Sequence, residues 1–254
     1  VDSVLGSFGP KLAASAQALG RPARVALRIN PDFELRGAGM HMGGGPKPFG
    51  IDAEQVPAML RAMARDGLAF EGFHIYPGSQ NLRGNVIAES LHRSVELVLR
   101  LVHDAPAPVR YVNLGGGWGI PYVAGERRLD LAPVADALAQ VQAALGRALP
   151  EAQMVLELGR YLVGEAGIYV ARVIDRKVSR GQVFLVTDGG MHQHLAASGN
   201  FGQVIRRNYP VVIGNRLQAA ERESATVVGP LCTPLDELAE RMELAVAQPG
   251  DLVV

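Results

Sequence analysis

A carboxylate (Glu157), a glycine (Gly159) and an arginine (Arg160) fall within a few positions of one another, directly after the apolar run Met154-Val155-Leu156. The run reads as a short strand, which puts the carboxylate at a strand end. A carboxylate there is costly to desolvate unless a cation or hydrogen-bond donors meet it. Glycine lets the backbone approach a ligand closely, and a guanidinium presents a fork of donors to a phosphate or carboxylate. Earlier in the chain Tyr111-Val112-Asn113-Leu114 is followed by Gly115, Gly116 and Gly117. Two successive strands that each end in a glycine-containing loop can build a phosphate site at the C-terminal face of a β/α barrel. Ordinary readings stand beside this one: a strand-end ion pair for Glu157 and Arg160, and a tight turn for the three glycines.

Other candidates are scattered. His74 ends an apolar run and precedes Pro77-Gly78-Ser79; it is either a site residue or a core histidine. Cys232, the sole cysteine, lies in Gly229-Pro230-Leu231-Cys232-Thr233-Pro234-Leu235-Asp236. Alone it would read as an inert buried thiol. Asp236 reads as the cap of a helix that it opens. Trp118 either packs over the glycine loop or fills core. His92, His103, His192 and His194 lack metal-ligand spacing with carboxylates or cysteine, so no metal site is expected.

The elements that must position these groups alternate through the first part of the chain. Helices are expected at 11–19, 52–66, 85–102 and 131–145, and strands at 24–29, 68–76, 109–114 and 154–157. Asp52 reads as a helix cap, with Val56, Met59, Leu60 and Met63 at helical spacing behind it. Val95, Leu99 and Val102 form one expected helix face. A glycine-rich loop covers 32–48. Strands alternating with crossover helices give a parallel sheet. From Gly167 the helical period vanishes. Short β-branched runs at 168–174, 183–187, 211–213, 224–228 and 252–254 are interrupted by one expected helix at 235–242. The expected organisation is α/β: a partial TIM-type β/α barrel over 1–165, then a mostly antiparallel β domain over 166–254.

The 254 residues are 48% hydrophobic and 20% charged with zero formal net charge, which suits a globular chain and offers no basic field for nucleic acid or a membrane. There is no apolar run of the roughly 18 residues that a spanning helix needs. A single cysteine rules out a disulfide within the chain and suits a reducing cytoplasm. Only four barrel-type strands can be placed, whereas a closed barrel has eight. A fragment, or a chain missing segments, is therefore expected.

The series LRINP (27–31), GFHIYPGSQ (72–80), NLGGGWGIPY (113–122), ELGRYLVGEAG (157–167), DGGMHQ (188–193) and GPLCTPLD (229–236) resembles the fold-type III pyridoxal-phosphate decarboxylases, the diaminopimelate and ornithine decarboxylase family. Within that family it is most similar to the exosortase-associated branch. The resemblance implies a barrel, a C-terminal β domain and a homodimer with shared active sites. It implies that Gly115, Gly116, Gly117, Gly159 and Arg160 hold the cofactor phosphate with Ser79 assisting, that Glu157 pairs with the pyridine nitrogen, that His74 stacks on the ring face and that Arg28 lies beside the cofactor. Cys232 would protonate the substrate α-carbon in the partner's site, and Asp236 would help read the substrate's distal end. The chemistry suits these types: the ring stores the electrons left by the departing carboxylate, and a thiol can return a proton.

Three departures matter. The family's cofactor-bearing lysine has no counterpart among Lys11, Lys47 and Lys177, and the Gly-Ala-Tyr segment is also missing. Leu158 stands where the family usually has proline. The region 194–200 carries no arginine, which speaks against diaminopimelate and leaves another amino acid, or one linked to a carrier, in view. The loop 37–48 is a candidate cover for such a substrate. The competing functions are an amino-acid racemase on the same fold, a catalytically inactive regulatory relative and an unrelated sugar-phosphate barrel. A carboxylate at position 157 favours decarboxylation over racemisation, because racemases of this type place arginine against the ring nitrogen.

Overall fold

The computed structural model describes residues 8–34, 40–41, 43–123, 125–195 and 207–254. They form two compact units, residues 1–120 with 127–164, and residues 121–126 with 165–254.

In the first unit, α1 (Phe8–Ala18) precedes β1 (Arg24–Asn30), β2 (Met40–His41) and β3 (Ile51–Asp52). Then come α2 (Val56–Arg65), β4 (Ala69–Ile75), β5 (Gly78–Ser79), α3 (Gly84–Leu101), β6 (Tyr111–Gly116), α4 (Ala132–Ala148), β7 (Gln153–Glu157) and α5 (Arg160–Val163). The main sheet has five strands in the order β3-β1-β4-β6-β7, every neighbouring pair parallel. The four anticipated strands are its body, and β3 adds a two-residue edge. Apolar residues dominate both faces of β1 and β4, as in a parallel sheet covered on both sides. Leu27, Ile29, Phe73, Ile75 and Val112 are each no more than 2% exposed. Helix α3 packs on them through Ile87, Leu91, Val95 and Val98, with Leu99 and Val102 only partly buried at the rim of the expected face. Asp52 caps nothing. A 3₁₀ turn (Ala53–Gln55) intervenes before α2, and the Asp52 carboxylate instead accepts a 2.7 Å hydrogen bond from the Asn30 amide.

The second unit holds β8 (Ala171–Ser179), β9 (Gln182–Thr187), β10 (Arg222–Val228), β11 (Glu237–Ala245) and β12 (Leu252–Val253) in one sheet, order β11-β10-β9-β8-β12. The expected mostly antiparallel sheet is present with one parallel pair, β9 beside β10. Its core is Val173, Leu185, Ile213, Ala225, Val227, Leu238 and Leu244. The helix expected at 235–242 is wrong: these residues run into β11, paired with β10. Leu, Glu, Ala, Arg and Met favour a helix in isolation, but burial of Leu238 and Leu244 against β10 overrides that preference. A bulge around Arg241, at φ 45°, shifts the register and breaks the period-2 pattern that would have marked a strand.

Candidate active site

The parallel register places Arg28 of β1 beside His74 of β4, and His74 beside Asn113 of β6. In β7 the row continues to Val155, and Glu157 stands two residues further on at the strand end, opposite Gly116. Its Oε1 accepts a 2.8 Å hydrogen bond from the Asn113 amide, and its Oε2 lies 3.3 Å from Nε2 of His74. Asn113 is itself fully used: it also donates to the Tyr111 hydroxyl at 2.9 Å, and its Oδ1 accepts the Gly115 N–H at 2.8 Å. The Glu157 side chain remains 46% exposed, so it is aimed by two neighbours yet reachable.

Glu157 opens onto a pocket of about 180 Å³ at the strand ends. Arg160, Ser79, Gly117 and Gly159 lie along it with Tyr76 and Trp118 as aromatic walls. Gly117 is required there. At φ 80° it is left-handed, and a Cβ would overlap the carbonyl oxygen of Gly78. A Cβ on Gly116 would likewise overlap the Glu157 carbonyl. Gly115, at φ 69°, receives the Asn113 bond that shapes the turn. Trp118 fills core, as one of its two expected readings had it, edge-on to Tyr161 at 5.4 Å, and it also lines the pocket.

His74 does not reach the pocket wall. Residues i and i+2 of a strand share a face, so His74 and Tyr76 point the same way, and Tyr76 stands one step nearer the mouth. Tyr76 is the wall residue, with its hydroxyl 3.2 Å from Ser79 Oγ. Of the two, Tyr76 lines the pocket, while His74 lies against Glu157. Arg28 is 8% exposed, and its guanidinium lies between the rings of Phe49 (5.3 Å) and Tyr76 (5.9 Å). Sequence reasoning also missed Gln80, whose Oε1 accepts a 3.0 Å bond from Arg160 Nη1 and whose side chain spans the N–H and carbonyl of Ile120. Gln80 sits at φ 56°, a strained conformation for this residue type. Only its place after Ser79 could have suggested it.

In the second unit Cys232 is exposed at the tip of its loop, between exposed Leu231 and Leu235. Asp236 is 2% exposed and caps no helix. Its carboxylate accepts the N–H of Met191 at 2.7 Å and of Leu231 at 2.9 Å. Burial lifts the Tyr169 hydroxyl above its ordinary 10.0, and the carboxylates of Asp188 and Asp236 add to the effect. Among the described residues no cluster of three metal-ligating side chains occurs, and no helix is long and apolar enough to cross a membrane. Residues 35–39 and 42 of the glycine-rich loop, and 196–200 of the arginine-free region, lie outside the described residues.

Residues 24–254 match the family model described as pyridoxal-dependent decarboxylase, C-terminal sheet domain. The chain belongs to the pyridoxal-dependent decarboxylase family. It is 38% identical over 238 residues to the L-glutamyl-[BtrI acyl-carrier protein] decarboxylase of Niallia circulans, covering 92% of this chain and 55% of that one. It is 34% identical to the diaminopimelate decarboxylase of Thermoplasma acidophilum, covering 87% of this chain and 51% of the relative. Among solved structures, the diaminopimelate decarboxylase of M. jannaschii in complex with L-lysine superposes with a TM-score of 0.78 at 25% identity, over 100% of this chain and 57% of the other. The chain thus spans about half the length of the curated relatives it matches.

Proposed function

We propose that the protein carrying these residues removes the α-carboxyl group of an amino acid as carbon dioxide, with pyridoxal phosphate as cofactor. The observation that carries the reading is Glu157, a half-exposed carboxylate aimed by Asn113 and His74 into a pocket that also holds a guanidinium and a glycine turn.

The donor set fits the cofactor. Arg160, Ser79 and the backbone around Gly117 and Gly159, which line the pocket, suit a phosphate, which accepts many hydrogen bonds, with Gly115 and Gly116 shaping the turn behind them. The pocket holds about 180 Å³, less than the roughly 300–1,000 Å³ usual for a whole small-molecule site. When bound, the cofactor supplies an electron sink for the pair left by the departing carboxylate. Glu157 would meet the ring nitrogen and hold a proton there, which would strengthen that sink. Tyr76 would wall the ring face, His74 and Asn113 keep Glu157 aimed, and Arg28 lies over the Tyr76 ring and steadies it. Gln80 fixes the Arg160 fork.

Cys232 gives its thiol proton to the substrate α-carbon. Its loop presents Leu231 and Leu235 at 41% and 59% exposure, the form of a surface that another molecule covers. In this reading the cover is a second copy, and the dimer shares its active sites. An exposed thiol persists in a reducing compartment, which favours a cytoplasmic location. For substrate, the 38% relative is named for carrier-linked glutamate, and a carrier-linked amino acid is the class we favour over free diaminopimelate.

The test is carbon dioxide release by the complete reading frame, with and without added pyridoxal phosphate, from free amino acids and from glutamate on a carrier. Cofactor-dependent release is expected, fastest from the carrier-linked form. Release from none of them in the cofactor-loaded protein would contradict the proposal.

A further inference from the structure

Asp236 is a buried carboxylate that the reaction above does not use. Its two oxygens are spent on two different loops: Oδ1 on the N–H of Met191, Oδ2 on the N–H of Leu231, the residue before Cys232. The loops have been shaped to admit it. A Cβ on Gly190 or on Gly229 would overlap the Asp236 carboxylate, and neither glycine has a left-handed φ, so space is what excludes a side chain there. The backbone closes the ring, with the Gly229 N–H on the Asp236 carbonyl at 2.8 Å and the Asp236 N–H on the Thr233 carbonyl at 3.2 Å. Beneath it, the Thr187 hydroxyl lies 2.8 Å from the Gly189 carbonyl and 3.0 Å from the Val228 carbonyl, joining the roots of the same two loops. A carboxylate that accepts backbone N–H groups out of water is a strong, directional tie.

We propose that Asp236 is a positioning residue: it clasps the 188–191 turn to the 229–236 loop and thereby sets where the Cys232 thiol stands. The proposal rests on the reading of Cys232 as the proton donor and deepens it. It also replaces the expected role of Asp236 in reading the distal end of the substrate, since both oxygens face inward. A thiol must sit within hydrogen-bond reach of the carbon it protonates, and misplacement of a catalytic group by about 1 Å can cost ~100-fold in rate.

The experiment uses the complete protein and three variants, Asp236→Asn, Gly229→Ala and Thr187→Val. Asp236→Asn keeps the shape but turns an N–H₂ toward one of the two N–H donors. Gly229→Ala pushes on the clasp from outside while leaving the carboxylate in place. For each, kcat and KM are measured together with the iodoacetamide alkylation rate of the Cys232 peptide and the melting temperature. In Asp236→Asn and Gly229→Ala, kcat falls about 100-fold with KM within a few-fold, and the alkylation rate changes at least several-fold at temperatures where the protein is folded. Thr187→Val, at the loop roots, gives the same pattern more weakly. Unchanged alkylation and kcat in Asp236→Asn and Gly229→Ala would overturn the clasp. Altered alkylation with unchanged kcat would overturn its bearing on catalysis. If Cys232→Ser kept full kcat, the proton-donor reading would fail by itself, and the alkylation rates would still decide whether Asp236 sets the loop.

Discussion

The strand-end pocket of the first unit and the Cys232 loop of the second hold their reactive groups by different means. In the pocket, Glu157 ends a strand of a parallel sheet, and neighbouring strands aim it: Asn113 and His74 converge on Glu157 from β6 and β4. In the loop, no strand carries Cys232, and the order comes from one buried carboxylate on two backbone N–H groups, a few backbone bonds within the loop and the Thr187 hydroxyl. A sheet shares the positioning among many strand pairings. A loop concentrates it in few bonds. Damage to one side chain should therefore stay local in the pocket and spread through the loop.

The largest effect that sharpens this contrast is expected at Glu157. Glu157→Ala should lower kcat by about 10³-fold, the scale of losing a preorganised electrostatic partner, while cofactor affinity, read by fluorescence titration, changes much less. Equal loss of both would mean that Glu157 serves binding rather than the ring nitrogen. Next, Cys232→Ala should lower kcat by about 10²-fold or more, the usual contribution of a positioned acid, with cofactor affinity untouched. Arg160→Met should weaken cofactor affinity by roughly 10–100-fold, since a hydrogen bond to a charged group contributes about 1.5–3 kcal/mol. Gln80→Ala should reproduce a fraction of that loss, because it frees the guanidinium without removing it.

The smallest effect separates the two units by pH. Burial alone would raise the Asp251 carboxyl, but the Gln248 N–H, Arg216 and Asn215 outweigh it and hold it below its ordinary 3.8. A lowered folded value stabilises the protein above the unfolded value and is lost as pH falls through the folded one. Asp251→Asn should therefore melt earlier than the parent at neutral pH, and the gap should close below about pH 3.8. A gap that is constant down to the most acid melt would show that the charge of Asp251 contributes nothing.

Much of the first unit was legible because helix period and strand runs are local patterns, and each tracked a buried face. Glu157, Arg160 and the glycine turn were legible for the same reason: strand ends, glycines and charge fall together in sequence. That Tyr76 rather than His74 lines the pocket was not legible, because alternation puts both on one face and only depth along the strand separates them. Strand β11 was illegible. Its helix-forming residues become a strand only through pairing with β10, and the Arg241 bulge hides the alternation. The partners of Asp236 and Gln80 were equally hidden, since Met191 and Arg160 are distant in the chain and no local pattern announces either bond.

The central claim is that Glu157 keeps a proton on the cofactor ring. The most direct measurement is the ¹⁵N chemical shift of ring-labelled pyridoxal phosphate bound to the complete protein and to its Glu157→Gln variant. The account expects a protonated ring nitrogen in the parent and an unprotonated one in the variant. An unprotonated nitrogen in the parent, or the same shift in both, would contradict it.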